Sequence, residues 1–225
     1  MAPIIHLVSR VVLLLMVAGP VSAATLEVLL QQADGSPVAD AVVTLQGPAG
    51  APAGVLKAEM DQRGQRFAPH VLVVHTGTQV RFPNSDNIRH QVYSFSSAKR
   101  FELRLYEGTP AAPLLFDKPG VVVLGCNIHD WMLGYIYVTD DAHFGVSDAQ
   151  GRVRLEQLPP GDYHATLWHP QLADMQPLDG GTLHVPAAGL AHRVTLSLEP
   201  APADLPPTPS AFGDAFNRAA RETAQ

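Results

Sequence analysis

The chain has 225 residues, 15 Lys and Arg against 21 Asp and Glu, and a net charge of −6. That balance excludes nucleic acid as a natural partner. Twenty prolines and eighteen glycines among short Val- and Leu-rich runs predict strands joined by turns, an all-β chain of one large or two small domains.

In chain order, residues 1–23 carry Arg10, an apolar run from Val11 to Val17 and the small-residue sequence Val21-Ser22-Ala23. This pattern predicts a secretory signal peptide cleaved near Ala23. The apolar run is shorter than the roughly 20 residues of a bilayer span, so the mature chain is expected to lack a membrane span and to reside in an oxidising compartment.

Residues 24–54 hold two alternating apolar runs around Ala33-Asp34-Gly35-Ser36-Pro37, the pattern of an N-terminal hairpin. The aperiodic GPAGAPAG at 47–54 marks a boundary. Residues 55–140 read as a run of about seven strands, the density of a small antiparallel sandwich. In its FELRLY segment Phe101, Leu103 and Leu105 are expected on one face, and Glu102, Arg104 and Tyr106 on the other. Residues 141–199 form a second β unit, with turns at Asp148–Gly151 and Pro159–Asp162 and a last strand placing Val194, Leu196 and Leu198 on one face. Residues 200–225 combine a Pro-rich linker with a segment that reads either as a short helix capped by Ser210, with Phe212 and Phe216 four apart, or as a frayed terminus.

The chemistry concentrates in GCNIHDWM, residues 125–132, which holds the sole cysteine in a CxxHxxM pattern: Cys126, His129 and Met132. Thiolate, imidazole and thioether are soft donors, and together they select copper over magnesium, calcium or manganese. His90, at the end of the loop-like run FPNSDNIRH, supplies the second imidazole that a blue-copper set requires. A lone cysteine in an exported chain has no internal disulfide partner, and its neighbours favour a ligand over a buried thiol. Asp86 and Asp130 raise the rival of an oxygen-ligated harder metal, but Cys and Met do not suit it and both aspartates are read as solvated. His70, His75, His143, His164, His169, His184 and His192 show no ligand spacing and are read as surface or structural histidines.

These residues carry a resemblance. Residues 55–140 resemble the cupredoxins: the CxxHxxM spacing is similar to the short amicyanin ligand loop, and FAPHVLVVHTGTQVRFPNSDNIRH resembles the stretch leading to the family's first ligand histidine. The resemblance implies a Greek-key β-sandwich holding one copper ion through His90, Cys126, His129 and Met132. It departs at Gln91, where many cupredoxins have an Asn tying the ligand loops together, and at Asn127, where Ser or Thr is common. VSDAQGRVRLEQLPPGDYHATLWHP and DGSPVADAVVTL resemble parts of a smaller transthyretin-like, carboxypeptidase-regulatory-like sandwich. The copper domain is then expected to be inserted into that outer module, with a tandem arrangement as the alternative. The whole chain is similar to exported bacterial proteins of the methylamine-utilisation or plastocyanin-like type.

The function this implies is that of a periplasmic type 1 copper protein. It would carry single electrons between redox partners such as a c-type cytochrome and a dehydrogenase. Copper storage, delivery or resistance without electron transfer is the alternative. With no HxH pair or second ligand cluster, an enzyme is not expected. Ile128, Trp131 and Leu133 are candidates for an apolar docking patch around His129, with core packing an equal reading of Trp131.

Overall fold

The computed structural model describes residues 23–48, 56–110 and 112–200. The expected secretory leader except Ala23, the C-terminal segment read as a short helix or a frayed terminus, and most of the 47–54 stretch lie outside the described residues. Among those described, every regular element is a strand except a 3₁₀ turn at Ala173–Met175, as the density of Pro and Gly among short Val- and Leu-rich runs predicts. No helix among them is long and apolar enough to cross a membrane.

The chain opens with β1 (Ala24–Gln31) and β2 (Val42–Gln46). A middle stretch supplies β3 (Lys57–Glu59), β4 (Asp61–Gln62), β5 (Phe67–Ala68), β6 (Val71–His75), β7 (Thr78–Arg81), β8 (His90–Ser94), β9 (Phe101–Tyr106), β10 (Leu114–Phe116), β11 (Gly120–Cys126) and β12 (His129–Thr139). The chain closes with β13 (His143–Val146), β14 (Arg152–Leu158), β15 (Gly161–Trp168), β16 (Leu178–Val185) and β17 (Leu190–Thr195).

The middle strands form a five-stranded sheet, β6-β12-β11-β8-β9, and a three-stranded sheet, β10-β7-β3, with β4 and β5 paired at one side. Alternation fills the space between the sheets: Val92 on β8, Val122 and Leu124 on β11, and Ile136 and Val138 on β12 point inward against Val80, Phe82 and Phe116. Each such fully buried side chain contributes about 1.5–3 kcal/mol through the apolar area it removes from water.

The N-terminal hairpin read from the two apolar runs does not form. β1 is the centre of one sheet, β14-β1-β17, and β2 pairs with β13 and β15 in another, β13-β2-β15-β16. The physical reason lies between them. The turn closes on itself, with the Gln32 amide donating to Ser36 O and the Gly35 amide to Gln32 O. Val38 and Ala41 are then buried, carrying the chain across the core to the opposite layer. Leu26, Leu30, Leu45, Leu158, Tyr163 and Val185 fill the core between these sheets.

A third cluster joins the two units. Tyr135 and Tyr137, on the outer face of the five-stranded sheet, pack with ring centroids 5.8 and 5.4 Å from that of Trp168 on β15. Val42 and Val71 complete this buried cluster, and the Trp168 Nε1–H donates to Met175 O.

The expected face of FELRLY is also corrected. His90 pairs with Tyr106 but Val92 pairs with Leu103, so β9 carries one extra residue there. Such a bulge flips every side chain beyond it. Leu105 is turned out, 51% exposed, and Tyr106 turns in beside Phe101 and Leu103.

Candidate metal centre

His90 opens β8 and is fully buried. The loop before it is built by Asn84, whose Nδ2 donates to Ile88 O and Tyr106 O at 2.8 and 2.9 Å. Its Oδ1 accepts the Asp86 amide at 3.1 Å. The His90 Nε2–H donates to Asp86 Oδ2 at 2.8 Å, which leaves Nδ1 as the acceptor nitrogen facing the core.

Cys126 ends β11, 2% exposed. Its Sγ lies 3.9 Å from His90 Nδ1 and 3.7 Å from His129 Nδ1. Cys126 pairs directly with His129, whereas Gly125 pairs with Leu133, so Asp130, Trp131 and Met132 have no partner on β11. This bulge is how a tight hairpin places a ligand-type residue before the turn, one after it and a third in the core. Cys126 and His129 flank a two-residue turn, and Met132 is buried in the same cluster as Cys126.

The donor atoms of His90, Cys126 and His129 lie within 4.8 Å of one another, the one such group of three or more His, Cys, Asp or Glu side chains among the described residues. His-Cys-His with a buried Met beside it is a donor set of two borderline nitrogens and two soft sulfurs, and it fits a soft transition-metal ion, not a hard one.

Charge around the cluster is uneven. Burial pushes the Asp86 carboxyl up, but the Gln65 amide, the His90 imidazole and the Gly64 amide outweigh it, so it lies below the usual carboxylate range. Burial and then the nearby His90 lower the His129 imidazole, opposed by Asp86. Tyr106 is pushed up to about 12, chiefly by burial; its hydroxyl donates to Phe82 O at 2.7 Å and accepts from Gln62 Nε2.

The loop around the cluster exposes both polar and apolar side chains, Asn127 and Asp130 beside Ile128 and Leu133. Ile128 and Leu133 are 47% and 39% exposed. Trp131 is half-buried with its ring 5.1 Å from that of His129, so it is neither a core residue nor a free one. Gln91 bonds Glu102 at 2.8 Å, so it does not tie the ligand loops together; Asn84 ties the loop before His90 to the end of β9.

The remaining histidines stay outside the cluster. His70 pairs with Asp40 at 2.9 Å and His184 with Asp162 at 2.7 Å. His169 donates to Ala39 O and accepts the Gln171 amide. Asp130 is exposed, as its reading as a solvated residue requires. Asp86 is not solvated: its side chain is 14% exposed and bonded to His90. Sequence reasoning missed it, along with Asn84 and Tyr106. Asp86 lies four residues before a candidate ligand, but an aspartate in an irregular loop carries no periodicity to show which way it points.

No family model matches the chain, and no curated protein matches it. Among solved structures it is similar to a purple cupredoxin from Nitrosopumilus maritimus, at 21% identity and a TM-score of 0.33 over 36% of this chain and 99% of that one. It is similar to a copper-containing nitrite reductase from Thermus scotoductus, at 28% identity and a TM-score of 0.36 over 42% of this chain and 25% of that one. It is also similar to a mutant amicyanin in the Cu(I) form, at 19% identity and a TM-score of 0.33 over 43% of this chain and 98% of that one.

Proposed function

We propose that the chain is a mononuclear copper protein of the cupredoxin type that carries single electrons between redox partners. The observation that carries this reading is the convergence of His90 Nδ1, Cys126 Sγ and His129 Nδ1 within 4.8 Å, with Met132 buried in the same cluster. Two imidazoles, a thiolate and a thioether are the donor types of a blue-copper site, and these four residues would hold the ion. Copper held there supplies one-electron chemistry between its cupric and cuprous states.

The protein's own residues do the rest. His90 is buried and fixed by Asp86, and Cys126 ends a paired strand, so the donors are held in place before any ion arrives. His129 is the partly exposed donor, and its ring offers the path between the cluster and the surface. Ile128, Trp131 and Leu133 rim it with an apolar surface that excludes water and seats a partner such as a c-type cytochrome or a dehydrogenase. The leader-like pattern of residues 1–23 supports export to the periplasm.

The outer unit is, on this proposal, a transthyretin-like module into which the copper domain is inserted. The pairing of β1 with β14 and of β2 with β15 supports that reading. The D-x-x-G turn, in which Asp148 Oδ1 accepts the Gln150 and Arg152 amides, supports it too. The module gives the protein a scaffolding or docking part and relates it to the methylamine-utilisation type.

The test is the visible and EPR spectrum of the cupric protein followed by a redox titration. An intense thiolate-to-copper band that bleaches and returns reversibly is expected. A colourless protein would sink the site, and loss of the ion on reduction would point instead to copper delivery or storage.

A further inference from the structure

The clasp on His90 is more elaborate than holding one ring requires. Asp86 uses both carboxylate oxygens: Oδ2 accepts from His90 Nε2 at 2.8 Å and from the Gln65 amide at 2.8 Å, and Oδ1 accepts from the Gly64 amide at 2.6 Å. Gly64 and Gln65 both sit at left-handed φ, 62° and 57°. They are the central residues of the β4–β5 hairpin turn, closed by the Arg63 amide on Arg66 O, and the N–H groups of both reach the Asp86 carboxylate. A tight hairpin turn of this kind calls for φ > 0 at both central residues, and the same conformation aims the Gln65 amide at Asp86. The hairpin bearing this turn is anchored, since Phe67 on β5 packs against Gly134 so closely that a Cβ there would come within 2.6 Å.

We propose that Asp86 is a positioning residue for His90: gripped by the Gly64–Gln65 turn, its carboxylate fixes the imidazole as the Nε2–H tautomer with the Nδ1 lone pair aimed at Cys126, and sets a negative charge behind that ligand. The inference rests on reading His90 as a copper ligand. Two consequences are separable. Orientation and tautomer raise the affinity for either copper state, because metal-bound histidines are held and made more basic by such outer partners. The negative charge favours the more highly charged cupric state and so lowers the potential.

Asp86→Asn keeps an oxygen acceptor for Nε2–H, removes the charge and replaces the acceptor of the Gly64 amide by a donor, whereas Asp86→Ala removes the charge and every acceptor. The expected result for Asp86→Asn is a raised potential with the thiolate band retained. If cupric affinity falls about tenfold more than cuprous affinity, the rise is about 59 mV. Asp86→Ala is expected to raise the potential too, and to weaken copper binding about 10–100-fold with altered copper hyperfine splitting. A purely structural role would lower Tm in both variants and leave the potential of the folded protein unchanged, and that outcome overturns the proposal. Nitrogen-15 NMR of the metal-free wild-type protein is a test that needs no variant. His90 is expected as the Nε2–H tautomer, and finding Nδ1–H instead would also overturn it. A wild-type protein without a thiolate band would defeat the copper reading itself. A wild-type band with unchanged potential and affinity in both variants would defeat this inference alone.

Discussion

The ring of Tyr93 occupies the space where residue 125 would carry a side chain: a Cβ on Gly125 would come within 2.7 Å of Tyr93 Cζ and 2.8 Å of its hydroxyl oxygen. Gly125 immediately precedes Cys126, so this close approach is built into the strand that delivers the thiol. Gly125→Ala must push the ring away or shift β11. It is expected to cost about 1–3 kcal/mol and to change the thiolate-to-copper band. Truncating the ring first, in a Tyr93→Ala background, should remove most of the cost. Chemical denaturation of the four proteins in a double-mutant cycle measures that coupling, and additive effects would refute the packing account.

Cys126→Ala is expected to abolish the intense visible band, since no other thiolate exists in the chain. Met132→Leu, close to volume-conserving in a buried position, should cost about 1 kcal/mol and, on the proposed copper reading, keep copper and colour and shift the potential, because a thioether is the weak donor of such a set. Absorption and redox titration of both variants check this pair.

Trp168→Ala is expected to cost about 3–5 kcal/mol, because it empties the centre of the cluster joining the two units. The larger effect is on cooperativity. With Tyr135 and Tyr137 deprived of the Trp168 ring, calorimetry should resolve two unfolding transitions where the wild-type chain gives one.

Acid should weaken the metal-free fold earlier than its carboxylates alone predict. Burial holds His143 below its ordinary value of 6.5. Burial also lowers His169, partly opposed by its bond to Ala39 O. A histidine depressed in the folded state leaves stability intact above the unfolded value, and that stability is lost as pH falls below it, because the unfolded chain takes up the proton first. Urea denaturation at about pH 8 and about pH 5 should show the drop. His143 Nε2 is buried without a hydrogen-bond partner among the described residues, and the ring packs edge-on to Tyr163 at 5.9 Å. His143→Phe should therefore reduce the drop and add about 1 kcal/mol near neutral pH; an unchanged pH profile would exclude His143 as a contributor.

Strand content and the donors that meet in space were legible because they rest on local signals. Alternation marks Val153 and Leu155 as inward and Arg152 and Arg154 as outward, and the structure places them so. Spacing set Cys126, His129 and Met132 within one hairpin. What was not legible depends on partners far away in sequence. One extra residue in β9 swaps Leu105 for Tyr106, and nothing in FELRLY marks it, since either register leaves apolar residues inside. The supposed hairpin failed for a similar reason: alternation identifies a strand but not the sheet it joins. Asp86 became visible only once the Gly64–Gln65 turn stood next to it.

The placement of β1 orders events in time. It is the central strand of its sheet, antiparallel to β14 and parallel to β17, and its Glu27 meets Arg154 from 127 residues away. A chain emerging from its N-terminus therefore carries β1 without either neighbour until nearly all the rest has appeared. Strand pairings of such separation form late. The stretch from β3 to β12 needs no strand from outside itself to complete its sheets. The sheets that carry the donor cluster are thus complete without β1, and the sheet around β1 is complete only with the last strand, β17.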